Sequence, residues 1–190
     1  MPAGGVAVVF ASAMALAVFA IAPPPALAAV PPNHDAAQEN PRFASLQIEI
    51  WPEFDRRQAA LVILRAELAA DVVLPSTVSL RIPVSSGGPT AVAFSAAAEG
   101  ELFKLGYERT NAAGFITPRL QAPQRFFHVE FYDPLTTRAP GNSYIYVWPG
   151  DLGVGRLGVR LQQPASASDF SVQPELSAWS AGLGGLFRSR

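Results

Sequence analysis

Between residues 77 and 84 every second side chain is apolar: Val78, Leu80, Ile82 and Val84 alternate with Thr77, Ser79, Arg81 and Pro83. Successive side chains of a β-strand point to opposite faces, so a period of two calls for an extended chain with one face buried. The same rhythm recurs elsewhere. Leu46, Ile48 and Ile50 alternate with Gln47 and Glu49 in a strand over 45–51. Phe127, Val129 and Phe131 oppose Phe126, His128, Glu130 and Tyr132, and Leu157, Val159 and Leu161 oppose Gly158, Arg160 and Gln162. Further strands are expected over 91–95, 102–108, 115–120, 144–148 and 170–172. Pro83 has no N–H to give to a ladder and belongs on an edge or at a strand end.

The one ambiguous run is 59–68 (AALVILRAEL), where Ala, Leu, Arg and Glu favour helix while Val62 and Ile63 favour strand. A strand is preferred because everything downstream is β. Pro, Gly, Asn and Asp separate the runs at fairly even spacing, and no window of ten or more residues keeps a capped helical period. About nine short strands of this kind predict an all-β protein: an antiparallel β-sandwich of Greek-key, immunoglobulin-like type over 42–174.

Composition narrows the function classes. With 14 basic and 15 acidic residues the net charge is -1, which provides no field to recruit nucleic acid or an anionic membrane. Charged residues make up 15% of the chain and hydrophobic ones 49%, so the chain should fold rather than stay disordered. The absence of cysteine removes disulfides, thiol nucleophiles and thiolate metal sites. Lys104 is the single lysine in an alanine-rich chain, as expected from the coding bias of a GC-rich bacterium.

Residues 6–22 are uncharged and apolar, and Pro23-Pro24-Pro25 and then Ala26-Leu27-Ala28 follow. This is the layout of a secretory signal peptide, 1–28, with cleavage after Ala28, although no basic residue precedes the apolar run. An uncleaved anchor is the second reading, since the run is slightly short of the ~20 residues of a membrane span. Residues 29–41, rich in proline and polar side chains, are expected to be a flexible linker, and 175–190 a disordered or truncated tail.

The stretch from Leu46 to Pro174 resembles the immunoglobulin-like or fibronectin-type-III-like modules of exported bacterial envelope proteins, and the carboxypeptidase-regulatory-like domains grouped with them. The strings that carry the likeness are Trp51-Pro52-Glu53-Phe54-Asp55, Phe131-Tyr132-Asp133-Pro134 and Gln162-Gln163-Pro164. Such modules share no catalytic motif, so the resemblance brings no functional residue with it.

Catalytic constellations are sparse. His34 and His128 are too far apart to suggest a metal motif, and His128 is expected to be an exposed strand histidine. Gly150-Asp151-Leu152-Gly153-Val154-Gly155 lacks the Gly-Lys-Ser/Thr of a phosphate loop, and no Gly-x-Ser-x-Gly elbow occurs. Glu49, Glu53, Asp55, Glu130, Asp133 and Asp151 are the carboxylates from which a glycosidase pair would have to come. Asp55, Asp133 and Asp151, each at a strand end, would instead hold loops or contribute to a calcium site.

The expected function is therefore a non-catalytic, exported structural or interaction module of the bacterial cell envelope, without cofactor or metal. Its partner is expected to be a protein or a carbohydrate of that envelope, with no nucleic acid. A carbohydrate-binding module using an exposed aromatic row is the alternative, and an enzyme with a carboxylate pair a second one. The candidate partner-binding residues are Trp51, Phe54 and Tyr132, aromatic rings beside proline and acid at strand ends, and the row Tyr144, Tyr146 and Trp148. If that row is exposed it can stack on sugars; if covered, it is core.

Overall fold

A computed structural model of the chain describes residues 40–139, 141–164, 167–173, 178–182 and 185–189. The expected signal peptide, most of the linker and His34 lie outside the described residues. Among the described residues fourteen strands follow one another. The first five are β1 (Phe43–Pro52), β2 (Ala59–Leu68), β3 (Ser76–Ser79), β4 (Ile82–Pro83) and β5 (Ala91–Ser95). Then come β6 (Phe103–Lys104), β7 (Tyr107–Ala112), β8 (Phe115–Ala122), β9 (Phe126–Pro134), β10 (Thr136–Arg138) and β11 (Gly141–Ser143). The series ends with β12 (Val154–Gln162), β13 (Ala178–Gly182) and β14 (Gly185–Ser189). Among the described residues there is no α-helix, only a single 3-10 turn at Val84–Ser86. The protein is all-β, as the alternation predicts.

The strands form an eight-stranded sheet in the order β13-β14-β12-β1-β2-β9-β5-β6, a smaller sheet around β8, and the β10–β11 hairpin. In the smaller sheet β3 and β4 follow one another along one edge of β8, while β7 lines the other. The β7–β8 connection is a two-residue hairpin in which Ala113 and Gly114 both have positive φ, 50° and 81°, the backbone of a type I′ turn.

Leu46, Ile48 and Ile50 of β1, Val62 and Leu64 of β2, and Phe127, Val129 and Phe131 of β9 face one core. Val78, Leu80, Ile82, Ile116 and Leu120 from the smaller sheet enter the same cluster. Each such side chain contributes about 1.5–3 kcal/mol when fully buried. The apolar period of 2 therefore decides which face of each sheet is inside, and its odd members decide what the opposite face presents.

Several expectations are corrected. The sheet is mixed rather than purely antiparallel, because β1 pairs with β12 in parallel, Phe43 opposite Val154 through Ile50 opposite Leu161. Alternation fixes facing but not direction, so strand order and sense had to come from long-range pairing. The run 77–84 is not one strand: it breaks between β3 and β4 at Leu80 and Arg81, and Leu80 N–H bonds the Pro118 carbonyl instead of continuing the regular ladder. Residues 102–108 are split between β6 and β7. Residues 170–172 form no strand, and neither do 144–148. The segment read as a tail carries β13 and β14, which pair with each other, and β14 pairs with β12. Backbone pairing onto an open sheet edge needs no apolar alternation, so the pattern gave no warning of it.

Candidate functional site

The face of the large sheet that turns away from the core carries its own polar construction. Register places Gly158, Gln47, Arg65 and His128 in one row across β12, β1, β2 and β9, and Arg160, Glu49, Ile63 and Glu130 in the next. Gly158, Gln47, Arg65, His128, Arg160 and Glu49 of these rows line an open groove of about 680 Å³, together with Trp51, Phe126 and Arg156. Gly158 leaves room on the groove floor: a Cβ there would overlap the Gln47 side-chain amide.

Two charged or titratable side chains in this face are almost fully covered. Glu49 is 4% exposed, with the Arg65 Nε 3.2 Å from its carboxylate and the Arg160 Nη1 3.9 Å away. A covered carboxylate is tolerable only with such pairing. His128, also 4% exposed, places Nε2 2.6 Å from Glu130 Oε1. That contact holds the Glu130 carboxyl below its ordinary value, outweighing the opposite effect of burial. A carboxylate only accepts, so Nε2 donates to it, which leaves Nδ1 as the ring's other hydrogen-bonding atom. Nδ1 is buried and has no hydrogen-bond partner among the described residues. His128 is thus not the exposed strand histidine expected from its facing. It lies on the outer face, as alternation requires, but that face is covered around it.

The six aromatic candidates separate into two groups. Trp51 and Tyr132 flank Leu61 in one outer-face row. The 53–58 turn folds onto them. Phe54, 51% exposed, packs edge-on against Trp51 at 4.7 Å, Tyr132 O–H donates to Asp55 Oδ2 at 2.7 Å, and the Arg56 guanidinium lies 3.8 Å above the Tyr132 ring. Partial burial and the Asp55 carboxylate raise the Tyr132 phenol above its usual value. These residues form one local cluster at the end of the groove face.

Tyr144, Tyr146 and Trp148 go the other way, packing against the hydrophobic core while Ile145, 82% exposed, points outward. The segment is extended but belongs to no strand. Burial, with Asp133 nearby, pushes both phenols far above their usual value. Tyr144 O–H donates to Asp133 Oδ2 at 3.0 Å, and Ser85 O–H donates to Oδ1 at 2.5 Å. The row lies partly buried against the core, so its rings are not laid out as an exposed platform for sugar stacking.

The strand-end acids each tie down another segment: Asp55 holds Tyr132, Asp133 holds Ser85 and Tyr144, and Asp151 accepts from Arg81 Nε at 2.6 Å. Among the described residues no three His, Asp or Glu side chains converge to hold a metal ion. Sequence reasoning missed Gln47, Arg65, Arg156, Gly158 and Arg160 as parts of one face. A signal was present in β2, where Leu61 and Ile63 are as apolar as Val62 and Leu64. A strand apolar on both sides announces a covered outer face.

No protein-family model matches the chain, and neither does any curated protein. Among solved structures, two of a mutant M1 zinc metallopeptidase from Deinococcus radiodurans, one bound to a Tyr-Ser-Ala substrate, are similar at a TM-score of 0.44 and 14% identity. The match covers 80% of this chain and 39% of those chains, so this chain spans about two fifths of their length. A likeness of that level carries no argument about activity.

Proposed function

We propose that this chain is a non-catalytic binding module of the bacterial cell envelope, exported on residues 1–28 and folded as an immunoglobulin-like, Greek-key sandwich, with its ligand in the outer-face groove. One observation carries the reading. The groove holds His128 almost fully covered, with one ring nitrogen engaged by Glu130 and the other left without a partner. A buried polar atom without a partner costs about 1–3 kcal/mol, a cost that a ligand hydrogen bond would remove.

The state of the carboxylates favours binding over chemistry. A glycosidase acid needs a carboxyl raised into the neutral range, whereas Glu130 is held low by His128 and Glu49 is paired with Arg65. Export rests on the apolar 6–22 run and Ala26-Leu27-Ala28.

The test is to express the full chain in a bacterium, fractionate the cells, and measure intact mass and sedimentation with envelope fragments. The expected product begins at Ala29, lies outside the cytoplasm, and sediments with the fragments. Gly158→Leu, which pushes the Gln47 amide out of its place on the groove floor, should abolish sedimentation while the chain still unfolds in one cooperative transition. Cytoplasmic retention with Met1 to Ala28 intact, or sedimentation unaffected by the groove variant, would refute the proposal.

A further inference from the structure

The groove's side chains balance in charge. Arg65 and Arg156 donate, Glu67 and Glu99 accept, and the Gln47 amide does both. Such a lining has no net field to select a polyanion or a polycation. It matches a neutral ligand whose groups both donate and accept, which is the chemistry of hydroxyls. His128 Nδ1, without a partner among the described residues, adds a polar atom that a hydroxyl, donor and acceptor alike, can meet.

Ring-bearing side chains stand at both ends. Phe126 shares a row with Ser45 and Glu67, and Trp51 lies six residues further along β1, a span of about 20 Å. A groove of about 680 Å³ is within the range of small-ligand sites. Aromatic rims with planar hydrogen-bonding side chains between them suit sugar rings, which have apolar faces and hydroxylated edges.

We infer that the outer-face groove binds a neutral oligosaccharide, His128 Nδ1 hydrogen-bonding a sugar hydroxyl and Trp51 and Phe126 bounding the occupied length. This rests on the binding-module reading and names its ligand class. It also moves the carbohydrate site from the Tyr144, Tyr146 and Trp148 row, which faces the core, to the opposite face of the large sheet.

The test titrates the purified full chain with chitohexaose, cellohexaose and maltohexaose, and separately with polygalacturonate and an unstructured neutral peptide, at low and high salt. At least one neutral hexasaccharide should bind with little change between the two salt conditions. Its affinity should fall at least tenfold in His128→Phe and in Gly158→Leu. Should His128→Phe melt early, Gly158→Leu and Trp51-fluorescence quenching by the sugar, lost in Trp51→Phe, decide in its place. Binding of none of the three sugars, of polygalacturonate alone with loss at high salt, of the peptide alone, or of a sugar equally well by Gly158→Leu overturns the inference. Groove-dependent sedimentation with envelope fragments that no sugar displaces would leave the module reading standing and remove the sugar. Sugar binding by a chain that stays in the cytoplasm would do the reverse.

Discussion

Two tyrosines donate to strand-end aspartates, and their geometry and burial point in opposite directions. Tyr132 makes the shorter bond, 2.7 Å to Asp55, against 3.0 Å from Tyr144 to Asp133. Distance alone would make Tyr132→Phe the more costly change. Burial reverses the order. The Tyr132–Asp55 contact is exposed, and water replaces the lost hydroxyl, so its removal should cost only about 0.5 kcal/mol. The Tyr132 ring, and with it the Arg56 contact, survives the substitution. Asp133 is 6% exposed, and Tyr144→Phe leaves its Oδ2 without the donor it has. A hydrogen bond to a charged group in that setting contributes about 1.5–3 kcal/mol. For a folded unit of about 150 residues, that corresponds to a melting shift of roughly 3–12 °C, against 2 °C or less for Tyr132→Phe. Urea unfolding followed by tryptophan fluorescence, with equal slopes required of both variants, reads the difference. A Tyr132→Phe variant as destabilised as Tyr144→Phe would show that bond length, not burial, sets these energies.

Phe131, with no exposed surface, should cost about 3–5 kcal/mol when replaced by alanine, measured by the same unfolding curves. The Glu49–Arg65 pair should respond asymmetrically. Arg65→Met leaves a covered carboxylate with only the more distant Arg160 guanidinium and costs about 3 kcal/mol, while Glu49→Gln leaves a half-exposed arginine and costs about 1 kcal/mol. Glu130 and Asp71 both have folded pKa values below their ordinary 4.5 and 3.8. The unfolded chain therefore binds protons first, and their stabilisation is complete above about pH 4.5 and lost as pH falls through the lowered values. Glu130→Gln should flatten the stability slope below pH 4.5, and an unchanged slope would refute the His128–Glu130 pairing.

The strands that alternate cleanly were legible because one face is core and the other is not. Phe127, Val129 and Phe131 on β9 are the clearest case. Run 59–68 was legible only by its company, since its composition suits a helix equally well. For 144–148 the alternation gave the facing but not the ladder: Tyr144, Tyr146 and Trp148 point inward from an extended segment that belongs to no strand. The groove was hidden for a different reason. Its rows are assembled from β12, β1, β2 and β9, so Arg160 meets Glu49 and Arg65 meets His128 only through register. Nothing local in the sequence encodes a neighbour about 110 positions away.

That same distance governs how the chain is completed. β1 and β2 close through the short 53–58 turn, but the other edge of β1 waits for Val154, about 110 residues later, and closing the longer loop costs about 2–3 kcal/mol more. Until β12 arrives, a ten-residue strand with three core-facing aliphatic residues presents an unpaired edge. A chain emerging amino terminus first exposes that edge for most of its synthesis, so β12 is both the last neighbour of β1 and its guard against self-association. Truncation before Val154 should make the domain aggregate with all four of β1, β2, β5 and β9 still present, as size-exclusion chromatography would show.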